Sequence, residues 1–493
     1  MFRLRLPRNG SPLANALLVL AGVVAGVGVS IVRDQAPDTL QAKDETPAES
    51  RMARLHRRDS HSTDSQHLAS DHAARATSLD EDETPIWELS TQERGQHFRE
   101  AGAQAAKEDL HQALASATAM ESAQDRLDFY RGIFGEWAKD DAEGALSHAQ
   151  SEFPAGQLRS EVIGIAMNKW GQERPRDAWL WAEKNLQGPL KERALTDLTV
   201  GWTRRNPTEA ATWLAASGLT SQTLFTALPG TWAESDPVAA AAWVKGLPPG
   251  KPRDTAEVVV AGVIAEDDPA GAADEYKGTI DEGNNPAVAF TIANIWASTD
   301  PAAAAEWVAT LPEGPSKQEA AATLATVWAS SDIRGAVGWT NQIQDPLVKK
   351  QVVSNIGTTW AAIDPAAALE WLDAQPQEVA TDGITGAFYS WAGTDPVGLR
   401  EWIDDGDAGT HTDRARQSLA DVLSQQNLPD ALDLALGMTS EVARDQAAAR
   451  YFREWRKRDD ASAQDWLDAN WASLPDSTRG ELAKEQARIA VQK

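Results

Sequence analysis

The chain has no cysteine among its 493 residues, so disulfides, thiolate metal sites and cysteine nucleophiles are excluded. Basic residues are scarce. There are 46 Lys and Arg against 73 Asp and Glu, a formal charge of -27, which argues against nucleic acid, because phosphate backbones need clustered cations. An acidic surface of this kind attracts basic partners or cations at low salt. P-loop, G-x-G-x-x-G, H-E-x-x-H and G-x-S-x-G motifs are also missing. Beyond residue 85 the only histidines are His97, His111, His148 and His411, without metal-ligand spacing. No catalytic, cofactor-binding or metal-ligating residue is therefore assigned, and no cofactor is expected. Aromatics are lopsided, with four Tyr and nine Phe but 20 Trp.

Residues 1–12 carry Arg3, Arg5 and Arg8 and no acid. Leu13 to Val32 follows as "LANALLVLAGVVAGVGVSIV", an uncharged run of the length of one helical membrane crossing. It reads as a signal-anchor with residues 1–12 in the cytoplasm and the bulk of the chain outside, in a periplasmic or other extracytoplasmic space. A cleaved signal peptide leading to secretion is the competing reading, although the run is long for a signal and no A-x-A site follows. Gly22, Gly26 and Ser30 share one face of this helix and would suit a homodimer contact, while glycine is also simply common in weakly hydrophobic anchors. Residues 33–85, with 7 basic and 12 acidic side chains and almost no aromatics, read as a disordered polar linker. His56, His61, His67 and His72 fall in it at irregular spacing, which favours a solvated tract over a metal site.

From 86 onwards the tryptophans keep time. Ala105, Trp137, Trp170, Trp202, Trp232, Ile264, Trp296, Trp328, Trp360, Trp391, Leu423 and Trp455 are spaced by about 32 residues, which marks about twelve repeats. Four residues after each comes an Asp or Asn in every repeat except one, where it is Arg174. These include Asp236, Asp268, Asp300, Asp332, Asp364 and Asp395, read as helix N-caps, often with Pro at the first helical position. Counted from the cap, positions 3, 4 and 7 predict the buried face of a short helix, as in Ala303, Ala304 and Trp307. A Leu-Pro-x-Gly stop and a second helix follow, so each repeat is a helix–turn–helix. Trp232, Trp243, Trp296, Trp307, Trp328, Trp339, Trp360, Trp371, Trp391 and Trp402 are expected to be structural core residues rather than a sugar platform.

Paired short helices, a period in the low thirties, alanine at close contacts and an Asp-Pro between repeats resemble the tetratricopeptide-type α-solenoids. The resemblance is one of architecture, since the W-x2-L-G-x2-Y pattern is not present and the period is about two residues short. It implies an all-α superhelical or toroidal array over 86–493 that binds protein or peptide. Residues 86–493 hold 36 basic and 61 acidic side chains. Position 6 of the short helix is acidic at Glu306, Glu370, Glu401 and Asp465, a candidate ladder for a basic partner. The expectation is a membrane-anchored envelope scaffold for protein–protein interaction. A toroidal enzyme or carbohydrate binder acting on polysaccharide, and a structural spacer, are the alternatives. Repeat 264–295 departs furthest from the pattern, with "EYKGTIDEGNNPA" and no Trp.

Overall fold

The structure is a computed structural model describing residues 86–219, 221–406 and 411–490. The cytoplasmic tail, the anchor with Gly22, Gly26 and Ser30, and the 33–85 linker lie outside the described residues. No helix among the described residues is long and apolar enough to cross a membrane.

One junction recurs along the chain and explains the four-residue step from each of the evenly spaced residues Ala105 to Trp455, the ruler positions, to its cap. The ruler residue lies in the last turn of a long helix, and in ten repeats its carbonyl accepts the cap N–H at 2.7–2.9 Å, for example from Asp300 to Trp296 and from Asp332 to Trp328. The cap then leaves helical geometry. Asp236, Asp268, Asp300, Asp332, Asp364 and Asp395 all have φ between -148° and -141° and ψ between 77° and 91°. Each side chain accepts the N–H three residues on, at 2.8–3.1 Å, and so satisfies a donor that a helix start leaves open. At Asp141 this junction interrupts what is otherwise one run of helix, Ala123–Glu152. Arg174 caps without a side-chain bond, and its guanidinium lies 6.0 Å from the Trp170 ring centroid.

The buried face of the short helices differs from the 3/4/7 expectation by one position. Position 4 is buried in every repeat and is alanine in all but one, where it is Leu399. Position 8 is also buried throughout, whether as Val244, Tyr276, Val308, Leu372, Ile403 or Leu467. Position 3 is only half-buried at Ala239, Ala303 and Ala367, and position 7 flanks the core. Tyr276 therefore belongs to the core of its repeat, with Ala272 and Ala273.

Packing divides the chain into two compact halves, with the division within Lys251–Asp267. In the N-terminal half the long helices Thr91–Glu108, Ala123–Glu152, Gln157–Glu173, Gly188–Arg205 and Gln222–Ala233 each pack on the next. Leu110–Ala119, Pro175–Asn185 and Pro207–Ser217 are short helices between them, and Pro237–Lys245 follows the last. In the C-terminal half Pro286–Thr299, Pro315–Ser331, Pro346–Ala361, Gln377–Thr394 and Thr412–Leu423 pack in the same way, followed by Leu428–Leu436, Glu441–Arg458 and the closing Asp476–Ala490. Its short helices begin with Pro269–Glu275, Pro301–Thr310, Ile333–Thr340, Pro365–Asp373 and Pro396–Asp404. All described elements are helical, with no strand among the described residues.

Candidate functional site

The constant eleven-residue interval between the two tryptophans of a repeat brings their rings together. Trp170/Trp181, Trp202/Trp213, Trp232/Trp243, Trp296/Trp307, Trp328/Trp339, Trp360/Trp371, Trp391/Trp402 and Trp455/Trp466 are paired with centroids 5.4–6.2 Å apart. In the repeat that starts at Trp137, His148 takes the second place at 5.4 Å. The sharp cap turn folds the short helix back on the end of the long one, so position 7 meets the ruler residue. The rings are not uniformly core. Trp232, Trp339 and Trp391 are buried, whereas Trp243, Trp296, Trp307, Trp328, Trp360, Trp371 and Trp402 are half-buried and offer an edge or face to solvent.

Beside these pairs stand the position-6 acids. Glu306, Glu370, Glu401 and Asp465 are all exposed. None has an ion pair or side-chain hydrogen bond among the described residues, although such contacts are common elsewhere on the surface: Arg99–Asp128–Arg131–Glu161 links three consecutive long helices at 2.8–3.2 Å. The cap aspartates are engaged differently, since each already accepts a backbone N–H.

Glu306 opens onto a cavity of about 380 Å³ in the C-terminal half, lined by Ala305, Trp328, Trp339, Glu313, Lys317 and Asp345 among others. Lys317 is mostly buried and pairs with Glu313 at 3.2 Å. A hydrogen bond with Glu313 holds the Asp345 carboxyl below its ordinary value, helped by the N–H groups of Leu347 and Val348 at 2.8 and 3.3 Å and by the charge of Lys317. A related depression in the N-terminal half is lined by Trp179, Glu183, Trp213, Ala216, Ser217 and Leu219. Trp179 and Trp213 lie there with centroids 4.1 Å apart. Sequence reading missed both sites, because each is shared by two repeats and neither has a contiguous motif. Position 5 lines both, as Trp179 in one repeat and Ala305 in another.

A second polar cluster joins three helices of the C-terminal half around Asp421. Tyr389, Tyr451, Arg450 and Gln417 all donate to its carboxylate. Burial pushes the Asp421 carboxyl up, but these donors outweigh it and hold the group below the ordinary carboxylate range. Burial and the bond to Asp421 push the Tyr389 hydroxyl up to about 12. With its oxygens spoken for by donors, Asp421 cross-links helices. In the divergent repeat, "EYKGTIDEGNNPA" forms the extra helix Lys277–Glu282, ended by Gly283 at φ 67°. Lys277 and Asp281 pair within that helix at 2.7 Å.

Among the described residues no cluster of His, Asp and Glu could hold a metal ion. No family model matches the chain, and comparison with curated proteins and with solved structures finds no significant match.

Proposed function

We propose that the chain is a tetratricopeptide-like α-solenoid scaffold, held at a membrane by residues 13–32, that binds a basic protein outside the cytoplasm. The observation that carries this reading is the recurring pair of an exposed, unpartnered acid and a half-buried indole on neighbouring positions, as at Glu306/Trp307, Glu370/Trp371, Glu401/Trp402 and Asp465/Trp466. A carboxylate without a cation of its own is available to one from a partner, and the adjacent ring adds apolar area and a cation–π face. Repetition along one chain suits an extended partner, because many weak contacts then add.

Binding of the full-length protein to basic and acidic polypeptides of equal length is the test. Affinity for the basic one should fall steeply between about 50 and 200 mM salt, over which screening of exposed charges increases. Salt-independent binding, or equal binding to both, would overturn the reading. A carbohydrate-binding role is the second reading, favoured by the near-parallel pairs Trp296/Trp307 and Trp328/Trp339, inclined at 28° and 30°. It predicts affinity for a neutral glycan that salt leaves unchanged.

A further inference from the structure

Position 5 of the short helices is one of the residues that line the gap between one repeat and the next. Where it is Trp179, an indole lies 4.1 Å from Trp213 of the following repeat. Where it is Ala305, a methyl group stands in that place and a cavity of about 380 Å³ opens beside Trp339, enough space for a small ligand or a long side chain. The lining carries three carboxylates, Glu306, Glu313 and Asp345, against one ammonium, Lys317. Lys317 is committed to Glu313 at 3.2 Å, and Asp345 is occupied by two backbone N–H groups. Glu306 is the charge left over, exposed and without a partner among the described residues.

Indole walls and an uncommitted carboxylate complement a planar cation. A guanidinium is weakly hydrated, stacks on aromatic faces and meets a carboxylate through a flat fork, whereas an ammonium is a strongly hydrated point charge. A neutral sugar ring could stack on Trp328 but would leave the excess negative charge uncompensated. We propose that the cavity between Pro301–Thr310 and Ile333–Thr340 is a binding site for an arginine side chain of a protein partner. Trp328 and Trp339 form its walls and Glu306 supplies its counter-charge. The assignment rests on the scaffold reading and narrows it to one pocket and one side chain.

The probe is a fluorescein-labelled peptide with three arginines separated by Gly and Ser, compared with its citrulline counterpart by anisotropy on the full-length protein. The arginine peptide should bind about tenfold more tightly than the citrulline one, as a charge-assisted pair implies. Glu306→Gln should weaken binding about tenfold, while Glu378→Gln, an exposed acid outside both the cavity and the position-6 series, should change it by less than about twofold. Ala305→Trp puts an indole in place of a methyl group in the cavity lining and should abolish binding. If that variant melts early, Glu306→Gln decides. Arginine-selective binding that both Ala305→Trp and Glu306→Gln leave intact would overturn the cavity assignment and leave the acidic scaffold standing. Equal binding of the arginine and citrulline peptides, or no binding of either, would overturn the assignment, and binding of a neutral glycan in their place would remove the scaffold reading too.

Discussion

A methyl group added to Gly201 would lie 2.0 Å from the Asn168 carbonyl oxygen, and one added to Gly171 would lie 2.4 Å from that of Leu198. Two long helices approach backbone to backbone here, and no side-chain rotation can relieve the clash. Gly201→Ala is therefore expected to cost about 1–3 kcal/mol, seen as a lower urea midpoint, despite alanine's better helix propensity. Gly278→Ala, where the added carbon meets nothing within 4 Å, should be neutral or slightly stabilising. Asp421 makes a second prediction at this scale. Its folded carboxyl titrates below its unfolded value, so as pH falls the unfolded chain takes up the proton first. Its contribution is complete above about pH 4 and drains away below, which Asp421→Asn should reveal as a flatter acid limb in denaturant midpoints against pH. The Tyr389 hydroxyl has the opposite sign. Its contribution is complete below about pH 10 and is lost as pH rises towards about 12, a change Tyr389→Phe should remove.

At the scale of the element, Leu372 shows what holds a short helix in place. It is fully buried, and carbons added at Gly357 and Gly383 would lie 2.8 and 2.7 Å from its side chain, so the helices on both sides grip it. Leu372→Ala should cost about 2–5 kcal/mol by chemical denaturation, and Asp364→Ala, which loses only the cap, about 1 kcal/mol. The helix starts were legible in the sequence because capping is local: an Asp and often a Pro announce a break wherever they fall. Phase was not. Ala302 to Ala305 is a run of four alanines, and alanine can sit on any face, so size had to decide. Trp307 is the largest residue nearby and its size points to it as the anchor, but the core takes Ala304 and Val308 and leaves Trp307 to pack sideways on Trp296. An indole can be half-buried and still bury much apolar area, so its size alone does not say which way it points. The cavity at Ala305 was hidden for a related reason. It is a missing volume, visible only when two consecutive repeats are in place.

For the whole molecule, repetition makes a deletion informative in a way that point changes are not. Removing residues 333–364 joins Asp332 to Pro365 and so rebuilds an Asp-Pro start on a different short helix. In a repeat array each segment depends on its neighbours, and the long helix Pro315–Ser331 would then be followed by Gln377–Thr394. The expected outcome is unchanged helicity per residue by circular dichroism and a cooperative melt at somewhat lower temperature. The same deletion removes Trp339, Asp345 and Val348 from the cavity lining, so arginine-peptide binding should disappear although the acids Glu370, Glu401 and Asp465 remain. A spacer would lose only length and keep its activity through the deletion. A scaffold that reads its partner through one inter-repeat pocket keeps its fold and most of its charge yet fails to bind, which separates the two at the level of the entire chain.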